Sequence, residues 1–325
     1  MSRLAELRIA LADRLIGQAE AVEEISPYIA MYEANLTPES RPAGVFMLLG
    51  PTGTGKTHTV ETVARALHGS SANLLNIDCG EYQLDHEVSK LVGAPPGYLG
   101  HRETQPVLSQ AKLSGVRSDK SHLAVVLFDE VEKAAPSMAR MLLGILDKAR
   151  LRMGDGSATT FENCLIFMTS NVGATELSSA RRSVGFASPS FSSRQDSCIA
   201  TAALRRRFAP EFVNRIDKTL VYQRLTASQV NQILDLQLRD LNERILARFK
   251  ADAFKVIVEG AARKEVLRLG VSDEWGVREL RRVIQTKVML PISSLVLEKK
   301  INGGSTVSFK RTDLKPIVSR AAVTA

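Results

Sequence analysis

The chain carries three cysteines in 325 residues, Cys79, Cys164 and Cys198, an odd number at wide and irregular spacing. That argues against a disulfide framework and against a zinc site. Cys79 follows a strand-like run and Cys164 begins one, so both are expected to pack as small apolar side chains. Long apolar runs are missing too: none approaches the roughly 18 to 20 residues of a membrane span. The opening residues Met1-Ser2-Arg3-Leu4-Ala5-Glu6-Leu7 lack the apolar core of a secretory signal. A cytoplasmic protein without membrane contact is expected. Aromatics are scarce where positive charge gathers. Residues 262–320 hold 13 Lys and Arg against 6 Asp and Glu, yet Trp275 and Phe309 are their only rings. A basic region without interleaved rings reads as solvated helix faces with a few arginines in specific roles, so nucleic acid is not the expected partner.

What is present sets the scale. A chain of 325 residues exceeds one ordinary core and fits about two domains. Its 44% apolar and 24% charged residues are those of a globular protein.

The strongest local signal is the apolar run Val45-Phe46-Met47-Leu48-Leu49 emptying into Gly50, Pro51, Thr52, Gly53, Thr54, Gly55, Lys56 and Thr57. A buried strand, a glycine loop and a helix start aim backbone N–H groups at one spot, where an anion can sit. This is a phosphate-binding P-loop (Walker A). The glycines let the backbone curl around a phosphate, Lys56 supplies a point charge to the β/γ oxygens of ATP, and the Thr57 hydroxyl can ligate Mg²⁺. The helix that follows carries Val60, Val63, Ala64 and Leu67 at helical spacing, and Gly69 closes it.

Two further runs have the continuous apolar character of strands buried on both faces. Leu123-Ala124-Val125-Val126-Leu127-Phe128 ends in Asp129-Glu130, where a doubly wound sheet places its ligand (Walker B). Asp129 is assigned to Mg²⁺, largely through water, and Glu130 to the attacking water. Cys164-Leu165-Ile166-Phe167-Met168 ends in Thr169-Ser170-Asn171. Asn171 is the candidate to touch the γ-phosphate or orient that water, with an Asx turn leaving the strand as the structural alternative. Ser178 to Ser197, with eight serines and one proline, reads as a flexible insertion. Beyond residue 222 the pattern turns to helix with short strands: a capping box at Thr226-Ala227-Ser228-Gln229, a long amphipathic helix, and strands at 254–258 and 306–309.

In this order, with Leu127-Phe128-Asp129-Glu130-Val131-Glu132-Lys133, Pro210-Glu211-Phe212-Val213-Asn214-Arg215-Ile216-Asp217 and Gly276-Val277-Arg278 added, the chain resembles the Clp-type AAA+ unfoldases. More narrowly, it resembles the second ATPase module of the two-ring Clp ATPases and disaggregases, from Leu15-Ile16-Gly17-Gln18 to Phe309. The resemblance implies an α/β fold: an AAA+ P-loop domain, with a parallel sheet between helices, over residues 1–222. A smaller, mostly helical α+β lid over 223–311 and a flexible tail over 312–325 would follow. It further implies that Arg215 is an arginine finger entering a neighbouring subunit's site, and that Arg278 is the sensor arginine of the lid. Leu15, Ile16 and Gly17 would pack on adenine. Activity would then need a homo-oligomeric ring, usually a hexamer in this family.

Gly97-Tyr98-Leu99-Gly100 resembles the family's pore loop, with Tyr98 and Leu99 gripping extended polypeptide, and Val184-Gly185-Phe186 is similar to a tripeptide that docks a peptidase ring. Two departures stand out. The family's amino-terminal substrate domain, its other ATPase ring and its frequent coiled-coil insertion have no counterpart in these 325 residues. His101-Arg102-Glu103-Thr104-Gln105 replaces the acidic-glycine residues that commonly follow the pore tyrosine. The leading expectation is an ATP-driven unfoldase. The alternatives are a motor on nucleic acid, for which His101-Arg102 and the basic carboxyl-terminal region speak, and an ATP-gated assembly scaffold, against which Glu130 and Arg215 speak.

Overall fold

The structure, a computed structural model, describes residues 3–93, 106–173, 189–271 and 276–319. The chain divides into two compact units, residues 1–51 with 55–223, and residues 224–325 with Thr52–Thr54. The first unit contains helices α1 (Arg3–Arg14), α2 (Ala19–Glu33), α3 (Lys56–His68), α4 (Asp85–Val92), α5 (Gln110–Gly115), α6 (Pro136–Lys148), α7 (Pro189–Arg207) and α8 (Pro210–Val213). Its strands are β1 (Gly44–Leu49), β2 (Leu75–Asp78), β3 (Ala124–Asp129), β4 (Arg150–Arg152), β5 (Ala158–Thr160), β6 (Cys164–Ser170) and β7 (Lys218–Val221).

Five of these strands form one sheet in the order β2-β3-β6-β1-β7. Every pairing in it is parallel, with Gly44 opposite Leu165 and Ala124 opposite Cys164. The three central strands are covered on both faces, which is why they read as unbroken apolar runs. One face presents Val45, Met47, Val126, Phe128, Ile166 and Met168 to Leu91 of α4, Leu113 of α5, Leu142 and Ile145 of α6 and Leu204 of α7. The other presents Phe46, Leu48, Val125, Leu127, Leu165 and Phe167 to α1, α2 and α3. Val60, Val63 and Leu67 of α3 are almost wholly buried there, each worth about 1.5–3 kcal/mol of apolar burial. Gly69, at φ 83°, ends α3 in the left-handed conformation and returns its N–H to Arg65 O.

The Ser178–Ser197 segment is not all irregular. Residues 189–197 lie within α7, which opens on Pro189 and closes on Arg205, Arg206 and Arg207. Proline is tolerated at a helix start, and cations suit a helix carboxyl end. The serines hid this helix, because their side chains compete with the helical ladder in isolation.

The second unit holds α9 (Ala227–Phe249), α10 (Gly260–Gly270), α11 (Arg278–Val283) and α12 (Leu290–Leu297), with strands β8 (Lys255–Val258), β9 (Thr306–Phe309) and β10 (Ile317–Ser319) in the order β10-β9-β8. The capping box forms: Gln229 N–H donates to Thr226 Oγ1 at 3.3 Å, and Thr226 N–H to Gln229 Oε1 at 2.8 Å. The expected tail is corrected in part, since Ile317–Ser319 pairs antiparallel with Thr306–Ser308 as an edge strand. Between α11 and α12, Ile284–Met289 widens into a π-helical turn in which Leu290 N–H reaches Gln285 O. Pro291, on the next turn, has no N–H for the carbonyl four residues back and its ring crowds it. Widening the turn relieves that conflict.

At the amino-terminal edge of the main sheet, the buried His68 places Nδ1 2.8 Å from Ser118 Oγ, while Nε2 is buried with no hydrogen-bond partner among the described residues. Burial lowers its pKa from 6.5, opposed by a backbone contact at Leu123. The unfolded chain therefore binds this proton more tightly than the native one. The stability that His68 contributes is complete above about pH 6.5 and falls as the pH drops from there through the lowered native value. Urea midpoints measured from pH 7.5 to 5.0 should fall, and His68→Gln should flatten that fall. An equally steep loss in the variant would assign the acid sensitivity elsewhere.

Cys79 and Cys164 are buried and Cys198 is exposed. Burial pushes the Cys79 thiol well up and the Cys164 thiol to about 12, so both are packed side chains rather than nucleophiles.

Candidate functional site

Parallel pairing places the carboxyl ends of β1, β3 and β6 side by side; β3 and β6 end in polar residues and β1 runs into the glycine loop. From β1 the chain enters the loop Gly50–Gly55 and then α3. Gly50 has φ 143°, and a Cβ there would lie 2.4 Å from the Tyr222 carbonyl oxygen, so glycine alone fits. Gly55 caps α3 at φ 99° with open space where a Cβ would stand. The first helical bond of α3 runs from Thr59 N–H to Gly55 O, at 2.9 Å. The N–H groups ahead of it thus lie outside the ladder at the positive end of the helix. This cradle fits a phosphate chain.

Lys56 is only 8% exposed, and its ammonium donates to Gly50 O at 2.7 Å, Pro51 O at 3.0 Å and Asn171 Oδ1 at 2.9 Å. Each of these three acceptors is a neutral oxygen, so none of them cancels the charge that an anion in the loop would meet. The amide of Asn171 then turns its other end outward: Nδ2 donates to Glu130 Oε1 at 3.3 Å. Only one orientation satisfies both neighbours, because ammonium needs the oxygen and carboxylate needs the nitrogen. A continuous line of hydrogen bonds links Lys56, Asn171 and Glu130.

Glu130 occupies the left-handed region, φ 57° and ψ 50°, which costs a non-glycine residue about 1–2 kcal/mol. Its neighbours hold it there: its N–H donates to Thr169 Oγ1 at 2.9 Å, and its carbonyl accepts from Lys133 N–H at 2.9 Å. Its carboxylate meets Lys133 Nζ at 2.5 Å, a contact that raises the lysine pKa chiefly by hydrogen bonding and then by charge. Thr169 donates its hydroxyl to Asp129. Asp129 also accepts from Thr57 Oγ1, at 3.3 and 3.4 Å for its two oxygens. Two hard oxygen groups this close fit one Mg²⁺, whose neighbouring ligands stand about 3 Å apart when each lies about 2.1 Å from the metal.

The structure thus brings together Gly50, Pro51, Lys56, Thr57, Asp129, Glu130 and Asn171. Thr169 and Lys133 join them without having been singled out from sequence. Thr169 stands two residues before Asn171, on the end of the same strand, and a polar residue there was the available signal. Leu15 is buried in the core, and Ile16 is half-buried on the turn between α1 and α2. Arg215 sits between α8 and β7, paired with Asp147 at 2.7 Å. Arg278 is the first residue of α11, in the second unit. Tyr98, Leu99, Val184, Gly185 and Phe186 lie outside the described residues.

Residues 41–219, more than half of the chain, match the family model of the AAA domain (Cdc48 subfamily). The chain belongs to the AAA family. Residues 225–309 match the C-terminal, D2-small domain of ClpB, in keeping with a Clp-type module. This AAA chain is 35% identical over 309 residues to the chaperone protein ClpB of Bdellovibrio bacteriovorus, covering 95% of itself and 34% of that protein. It is likewise 35% identical, over 304 residues, to the ATP-dependent Clp protease ATP-binding subunit ClpC of Staphylococcus epidermidis, covering 93% of itself and 36% of the relative. It therefore spans about a third of the length of these curated relatives. Among solved structures it is similar to S. cerevisiae Hsp104 in its casein complex, extended conformation, with TM-score 0.79 and 26% identity over 98% of this chain and 52% of that one. The parallel sheet between helices and the smaller lid are thus the AAA+ arrangement.

Proposed function

We propose that this chain hydrolyses ATP with Mg²⁺ and couples the turnover to drawing polypeptide through the pore of a homo-oligomeric, hexameric ring in the cytoplasm. The observation that carries the hydrolytic part is the hydrogen-bonded line from Lys56 through Asn171 to Glu130, which joins a phosphate-loop cation to a carboxylate through one amide. Mg²⁺-ATP supplies the phosphoanhydride and neutralises part of its charge. Thr57 and Asp129 would hold the metal. Lys56 would bind the β/γ oxygens, Glu130 would take the proton of the attacking water, and Asn171 would report the γ-phosphate to Glu130. Ile16 would line the adenine pocket. Arg215 would reach a neighbour's γ-phosphate, and Arg278 would couple nucleotide to the lid, taken here as residues 223–311 after a nucleotide domain over 1–222.

The polypeptide part rests on Gly97-Tyr98-Leu99-Gly100 and on similarity to chains solved with casein. An aromatic side chain offers large contact area without demanding a sequence. Tyr98→Ala should leave ATP turnover within about twofold of wild type, because it removes grip rather than chemistry. Unfolding of a labelled substrate protein should be lost. Normal unfolding by that variant would remove the pore assignment.

A further inference from the structure

Arg215 stands on a fixed base. Phe212, buried and stacked on Phe208 at 5.1 Å, anchors the short helix α8 before it. Its own N–H bonds to Phe212 O at 3.1 Å. Two residues on, Asp217 brackets Val45 of the central strand β1: its N–H donates to Val45 O at 2.9 Å, and its carboxylate accepts Val45 N–H at 2.8 Å. The backbone of Arg215 is thereby tied to the sheet. Its long side chain would still sample many rotamers unless something outside the backbone chose one.

Asp147 makes that choice. It lies one residue from the end of the 13-residue helix α6, and one of its oxygens meets Arg215 Nη2 at 2.7 Å. A carboxylate in the last turn of a helix opposes the helix dipole, a position where a cation is preferred. The unfavourable placement is offset by the guanidinium, which meets the carboxylate and the negative helix end together. The Arg215 side chain remains 44% exposed, against 34% for Asp147, so the pair leaves donors of the planar fork facing outward. An exposed ion pair of this kind is worth about 0–1 kcal/mol, too little to lock the arginine and enough to bias its direction.

We propose that Asp147 is a positioning residue for Arg215: it holds one edge of the guanidinium so that the remaining N–H groups are aimed, before assembly, at the anion of a neighbouring subunit. The proposal rests on the trans role given to Arg215 above. It predicts that the cost of losing Asp147 appears only where Arg215 is present to be aimed. In the full chain, Asp147→Ala should lower kcat for ATP about two- to fivefold with KM nearly unchanged, the size that a bias of up to about 1 kcal/mol allows and the pattern expected for misorientation rather than lost binding. Asp147→Asn, which keeps an acceptor oxygen, should recover most of it. In an Arg215→Ala background, Asp147→Ala should change nothing further. A fall in kcat of the same size in that background, accompanied by a lower unfolding temperature, would make Asp147 a strut between α6 and α8 and overturn the proposal. So would wild-type turnover in Asp147→Ala when Arg215→Ala is inactive. Wild-type turnover in Arg215→Ala would instead overturn the trans reading, and this inference with it.

Discussion

Glu130→Gln is expected to lower ATP turnover by about 10²–10⁴-fold, the range for loss of a positioned general base, while nucleotide binding is retained. The substitution preserves side-chain shape, and the bonds from Lys56 to Gly50, Pro51 and Asn171 do not involve the altered carboxylate. What changes is the charge between Asn171 Nδ2 and Lys133 Nζ. An amide cannot take the proton of an attacking water at neutral pH, so the step that needs a base slows. Single-turnover hydrolysis, read beside binding of a fluorescent nucleotide, separates the two effects. Unchanged hydrolysis would strip Glu130 of its role, and lost binding would make it part of the nucleotide cradle. The slow variant, incubated with cell lysate and ATP, should retain polypeptide. Retention of nucleic acid instead would reverse the functional class.

Arg215→Ala is expected to cost about 10³–10⁵-fold in turnover while rings still assemble, since an arginine supplied from a neighbour neutralises charge developing on the transferred phosphoryl group. Its pair with Asp147 is half-exposed and contributes little to folding. The decisive measurement is mixing with Lys56→Ala subunits, which lack the phosphate-loop cation and keep the finger. In an equal mixture, roughly a quarter of sites would combine an intact loop with an intact arginine across the head-to-tail interface of a ring. Activity should therefore return in the mixture although each parent is inactive. Failure of that complementation in rings of confirmed size would place the site within one subunit.

Much of the site was legible in the sequence because its residues sit at strand ends, and strands buried on both faces announce themselves as apolar runs that stop abruptly at glycine or polar residues. Val45–Leu49, Leu123–Phe128 and Cys164–Met168 all follow that pattern, and the residues after them converge once the strands pair in parallel. Other contributions leave no local mark. Lys133 is three residues from Glu130, but its ion pair depends on the left-handed turn at Glu130, which nothing in a single sequence demands of a glutamate. Asp147 and Arg215 are 68 residues apart, joined only by the packing of α6 near α8. The short hairpin β4–β5 offers too few residues for a period to emerge. Helix α7 and strand β10 were missed for different reasons, serine-rich composition in the first and a three-residue edge pairing in the second.

Strand β6 is hydrogen-bonded along both edges, to β1 on one side and β3 on the other, and all seven of its residues are buried. The spacing between the phosphate loop and the acidic pair is therefore built like the pitch of a lattice. Opening it by an ångström or more would break ladder bonds in series. On the proposed reading, a change of nucleotide would leave this sheet through side chains at its rim, Asn171 foremost, and a larger motion would begin in the elements that those side chains touch.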